Sequence, residues 1–152
     1  MWNSKKSVNL SLVVCALTII CIVVISLFAN NFAVHYFDYQ QYNDHAQYIK
    51  YVAFITAFYP CSLLGILAVI SLIRMLLRIK KDNPFCNENV KSLKFISWCC
   101  FIVALITFCC GFFYLPLFII TVASGFFGLI LRVVKNVIQS AIEIREENDL
   151  TI

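Results

Sequence analysis

Three long stretches without a single charged side chain constrain this chain more than any other feature. They comprise 31 residues between Lys6 and Asp38, 23 between Lys50 and Arg74, and 37 between Lys94 and Arg132. Each is longer than the roughly 18 apolar residues that mark a membrane-span candidate. Charged residues make up 13% of the chain and hydrophobic ones 62%, against about 25% and 45–50% in an ordinary soluble domain. A water-soluble globule, a disordered chain and a disulfide-stapled secreted domain are all excluded. What remains is an integral membrane protein.

A hydrocarbon core about 30 Å thick takes roughly 20 helical residues to cross. The first run supplies one span at Leu10–Ala29, and the second a span at Tyr51–Ile73 that contains Pro60. As one helix the third run would be about 55 Å long, too long for the bilayer at an ordinary tilt. It carries Gly111 and Pro116 near its middle, where a turn is chemically sensible. It therefore reads as two spans, Phe95–Cys110 and Pro116–Val134, joined by a very short loop. The expected fold is all-α: a bundle of four transmembrane helices forming a single domain over residues 1–152. The first stretch is longer than the usual 7–15-residue core of a signal peptide, and Leu27-Phe28-Ala29 is a poor cleavage site. It is expected to stay as a span.

Lysine and arginine orient the bundle. Two precede the first span and one lies in the first loop. Six lie between spans two and three, none between three and four, and three in or beyond the end of span four. The positive-inside rule then places both termini in the cytoplasm. An outer loop at 30–50, a cytoplasmic connector at 74–94 and a cytoplasmic tail at 135–152 follow.

The outer loop crowds Tyr36, Tyr39, Tyr42, Tyr48 and Tyr51 around the membrane boundary. Tyrosine joins an apolar body to a wet hydroxyl, so these rings read as headgroup-level anchors; a cap for a ligand is the alternative. His35, Asp38, Asp44 and His45 match no metal-ligand spacing. In the connector, Asn83-Pro84 breaks the helix leaving span two. Asn87 is expected to cap a new one, with Val90, Leu93 and Ile96 on one face. That segment reads as an interfacial helix leading into span three, its lysines against anionic lipid, or as a docking surface for a cytosolic protein. In the tail, Val134, Val137, Ile138, Ala141 and Ile142 form an apolar stripe, so span four should continue as an amphipathic helix. Its stripe calls for a cover, either a second copy, the connector or a partner. Its acidic tip, Glu143, Glu146, Glu147 and Asp149, should point into water and suits the basic connector.

Catalytic and redox readings find little to stand on. Seven of the eight cysteines fall within the predicted spans, and Cys86 faces the reducing cytoplasm. With no CxxC and no His cluster, they read as small hydrophobes. Transport and intramembrane catalysis need ionisable groups at depth, and none is expected there, since Arg74 and Arg132 sit near the inner ends and can snorkel. A small four-helix drug exporter would carry an embedded Glu, and a glutathione-handling enzyme polar and basic residues within its spans. Pro60, Ser62, Gly65, Ser124 and Gly125 read as kink and packing positions. No catalytic, cofactor or metal residue is assigned, and no enzyme activity is expected.

The connector segment NPFCNENVKSLKFI and the ending AIEIREENDLTI resemble the YoaS-like bacterial membrane proteins, a four-span family without an assigned function. The likeness covers nearly the whole chain. Its cysteine pairs and tyrosine-rich outer loop are features of this chain rather than of that pattern. The resemblance implies a multi-pass protein of the bacterial cell membrane. Relatives are often encoded beside a small helix-turn-helix regulator, which implies a cytosolic DNA-binding partner rather than direct nucleic-acid binding. The candidate docking residues are Pro84, Phe85, Asn89, Val90, Leu93 and Lys94 in the connector, with Ile142, Glu143, Glu146, Glu147 and Asp149 in the tail. The alternative is a small transporter, channel accessory or immunity-type protein acting within the bilayer, alone or as a homo-oligomer.

Overall fold

In hydrocarbon a backbone must satisfy its own amides and carbonyls, and the helix does so within one segment. The computed structural model describes residues 4–37, 45–80 and 86–149, and helices take up nearly all of them. Helix α1 is Ser4–Phe37, α2 His45–Lys80, α3 Asn87–Gly111 and α4 Leu117–Asp149. All four are long and apolar enough to cross a membrane. Their 34, 36, 25 and 33 residues give about 51, 54, 38 and 50 Å of helix, each more than the hydrocarbon core requires.

The spans expected at 10–29, 51–73 and 95–110 lie within these helices, and the one at 116–134 does so from Leu117 on, but the helices run on past the apolar stretches. Asn30–Phe37 and His45–Lys50, read as outer loop, belong to α1 and α2. Neither piece contains the Gly or Pro that would end a helix. The connector is largely helical too, since α2 continues to Lys80 and α3 begins at Asn87. Asn83-Pro84, the expected break, lies outside the described residues. Asn87 does not cap α3. Extended Cys86 holds that position without a side-chain hydrogen bond, and its carbonyl accepts the Asn89 amide at 2.9 Å.

The short turn between α3 and α4 forms where Gly111 and Pro116 predict it. The Cys110 carbonyl accepts both the Phe113 and Tyr114 amides at 3.1 Å. The Leu117 amide then donates to the Tyr114 carbonyl at 3.1 Å, which starts α4. Pro60 lies inside a continuous α2, as transmembrane helices tolerate.

The helices pack in sequence order, α1 on α2, α2 on α3 and α3 on α4, the last contact being the most extensive. Polar groups fasten it. The Ser97 hydroxyl donates to the Gly128 carbonyl at 2.9 Å, and the Thr107 and Thr121 hydroxyls bond at 2.9 Å. Ser97 and Thr107 are buried. A methyl group on Gly128 would stand 3.3 Å from the Cys100 Cβ and 3.4 Å from the Phe101 ring, so glycine is what lets the two backbones approach. Gly125, expected as a packing position, has nothing within 4 Å of where a Cβ would be. Ser62 and Ser124 bond carbonyls of their own helices.

The tail stripe is rotated from its expected place. Val134 and Val137 are exposed, whereas Lys135, Ile138 and Gln139 are partly covered and Ile142 is buried. The contacts at Thr121 and Gly128 set the face of α4 inside the membrane, and the helix carries that register outward at 3.6 residues per turn.

Candidate functional site

Charge is costly at bilayer depth, so side chains able to do chemistry gather where the uncharged runs end. At one end, α2 closes, α3 opens and α4 passes beyond its apolar part. On α2, Leu67, Ile70, Ser71, Arg74 and Arg78 recur at three- and four-residue steps and share one face. On α3, Glu88, Lys91, Ser92 and Phe95 do the same. These two stripes line an open groove of about 580 Å³.

Arg78 is held in this groove from three sides. Its Nε lies 2.9 Å from the Glu88 carboxylate, while Nη1 donates to the Ser92 hydroxyl at 3.2 Å and the Glu88 carbonyl at 3.4 Å. The Ser92 hydroxyl donates to that same carbonyl at 3.0 Å. With both side chains partly exposed, the ion pair contributes about 0–1 kcal/mol, and its main effect is to orient the guanidinium. Elsewhere Arg132 lies 5.6 Å from the Phe101 ring centre and 6.0 Å from that of Trp98. This cation–π contact ties α4 to α3 by about 0.5–1 kcal/mol. The groove can hold an anion by charge and hydrogen bonds.

The candidate docking residues divide sharply. Asn89, Val90, Leu93 and Ile142 are buried, so they hold the helices together instead of facing outward. The spacing of Val90, Leu93 and Ile96 marks the packed face of α3. Lys94, Glu143 and Glu147 are exposed, and Glu143 accepts a hydrogen bond from Gln139 at 3.2 Å. Glu146 and Asp149 belong to α4, but their side chains lie outside the described ones, as do residues Pro84 and Phe85 altogether. The Arg78–Glu88 ion pair lies within the connector. Sequence reasoning missed this groove; the three- and four-residue spacing of its lining on each helix was the available signal.

The opposite end is aromatic. Phe37, 6% exposed, sits among Tyr36, Tyr51, Phe54 and Tyr114 with ring centres 5.2–6.5 Å away. The Tyr51 hydroxyl donates to Asn30 at 2.7 Å. Burial, with the Tyr36 hydroxyl beside it, raises the Tyr114 phenol above its usual value, so the ring stays neutral at physiological pH. Tyr36 and Tyr48 are exposed; Tyr39 and Tyr42 lie outside the described residues. So do Asp38 and Asp44, while His35 and His45 are exposed. Among the described residues no three of His, Cys, Asp and Glu gather as metal ligands. All eight cysteines are free.

No curated protein and no solved structure matches the chain. Residues 35–152, from the end of α1 through α2, α3 and α4, match a family described as Protein of unknown function (DUF2975). This chain, whose described residues form four helices long and apolar enough to cross a membrane, belongs to that family.

Proposed function

We propose that this is a non-enzymatic protein of the bacterial cytoplasmic membrane, with both termini inside, whose tail docks a cytosolic partner. The observation that carries the reading is the unbroken course of α4 from Leu117 to Asp149. Past Val134 the helix projects about 22 Å. It presents Ile144, 59% exposed, between the exposed Glu143 and Glu147. Anionic lipid repels such a tip, and an apolar residue rimmed by acids suits a basic protein surface. Direct DNA binding is disfavoured, because phosphate attraction dominates that affinity and the tip is acidic.

The resemblance to YoaS-like proteins supplies the class of partner, a small helix-turn-helix regulator. Holding such a protein at the membrane would require only a difference in affinity between two states of the helices. The test is affinity purification from gently solubilised native membranes, with mass spectrometry of what co-elutes. A double variant, Ile144→Lys with Glu147→Lys, leaves the buried Ile142 in place. A DNA-binding protein should elute with the unchanged chain and be lost from the variant. Recovery of the chain alone, or only with other membrane subunits, would overturn the tether and favour a role within the bilayer.

A further inference from the structure

The groove between α2 and α3 changes character along its length. Leu67 and Phe95 form its deep end, inside the uncharged runs. Arg74 stands where the run in α2 stops and Lys91 about one helical turn outside the run in α3, at the membrane boundary, and the Arg78–Glu88 pair closes the outer end. A phospholipid has the same order of parts, with acyl chain, then phosphate, then headgroup. Three cations face one carboxylate, for a net charge of +2 in the groove. Glu88 already pairs with Arg78, and no ion pair among the described residues neutralises Arg74 or Lys91. They are the charges left to meet a ligand.

From this we infer that the groove is a binding site for one anionic phospholipid. The phosphate lies between Arg74 and Lys91, Arg78 is oriented toward it by Glu88, and an acyl chain runs over Leu67 and Phe95. Free inorganic phosphate has the right charge and would leave the apolar half of the groove unused, which is why a lipid is the better occupant. Basic pockets between transmembrane helices commonly take anionic headgroups. This site does not depend on the docking of a cytosolic partner.

The test is native mass spectrometry of the full-length chain, delipidated in a neutral detergent. The titrants are phosphatidylglycerol, phosphatidylcholine with the same acyl chains, and sodium phosphate. Phosphatidylglycerol should bind about 25-fold more tightly than phosphatidylcholine, and the double variant Arg74→Gln with Lys91→Gln should erase that preference, each basic residue near a headgroup contributing about fivefold. Lys50→Gln, at the other end of α2, should change nothing. Glu88→Gln removes the opposing charge and should tighten phosphatidylglycerol binding severalfold, a gain that misfolding cannot mimic. Millimolar phosphate should not displace the lipid. Equal binding of the two lipids, an unchanged double variant, or displacement by phosphate would each overturn the assignment.

Discussion

The α3–α4 hairpin and helix α1 are both apolar enough to cross a membrane, yet they are held in opposite ways. α3 buries eight residues, Asn89, Val90, Leu93, Ile96, Ser97, Cys99, Thr107 and Gly111, and exchanges two side-chain hydrogen bonds with α4. α1 buries mainly small residues along its length, Cys15, Ala29 and Ala33, and ends on Phe37. Leu17, Ile20, Leu27 and Phe28 are all more than half exposed. Lipid tails are as apolar as leucine, so apolar surface does not by itself drive helices together in a bilayer. Close backbones and buried hydroxyls do, and the hairpin has both. The lesson is that α1 joins its neighbour through a seam of small residues closed at one end by an aromatic cluster, whereas the hairpin adds hydrogen bonds along its length.

The sharpest way to break this contrast is at Phe37. Replacing it with Ala empties the centre of the aromatic cluster and should cost about 3 kcal/mol. Reversible unfolding in mixed micelles would measure the loss, and a proximity crosslink between α1 and α2 should weaken near Asn30 and persist near Gly65. A cost below 1 kcal/mol would mean that α1 is held elsewhere. Gly128→Leu attacks the hairpin itself: the new side chain must displace the Cys100 and Phe101 side chains, at about 2 kcal/mol. Gly125→Leu, facing open space, is the control and should be nearly silent; equal losses would show the close approach at Gly128 to be unimportant.

Smaller effects refine the picture. Thr107→Val keeps the shape and removes one interhelical hydrogen bond, so about 0.6 kcal/mol is expected, the average for such bonds in membranes. If the same assay shows no change, the hydroxyl pair is incidental to hairpin stability. Leu17→Ala, on the exposed side of α1, should cost less than about 0.5 kcal/mol. A loss comparable to that at Phe37 would reveal a partner covering that face.

Much of the architecture was legible in the residues. The uncharged runs located four spans, and Gly111 with Pro116 marked the turn that divides the third run. The packed face of α3 outside the apolar run followed from Val90, Leu93 and Ile96, because near water a helix buries its apolar side. The tail misled for the same reason: Val134, Val137 and Ile138 look like one stripe to solvent, but α4 runs on past its apolar part with its rotation already set by Thr121 and Gly128. Within the spans, Ser97, Thr107, Thr121 and Gly128 were the small and hydroxyl residues that marked the interface. Nothing in their spacing distinguished them from Ser62, Ser124 and Gly125, which bond their own helices or face open space.

The number of helices, their apolar lengths and the concentration of charge at their ends were determined by the sequence alone, because transferring a side chain into hydrocarbon costs an amount set by its identity. Which face of each helix is buried was decided only by tertiary structure. In lipid every face of these helices is apolar, so hydrophobic periodicity carries no information about contact, and selection falls to close backbone approach and hydrogen bonds. The groove between α2 and α3 arises in the same way: Arg74, Arg78, Glu88 and Lys91 belong to two separate helices and become one site only when those helices pack.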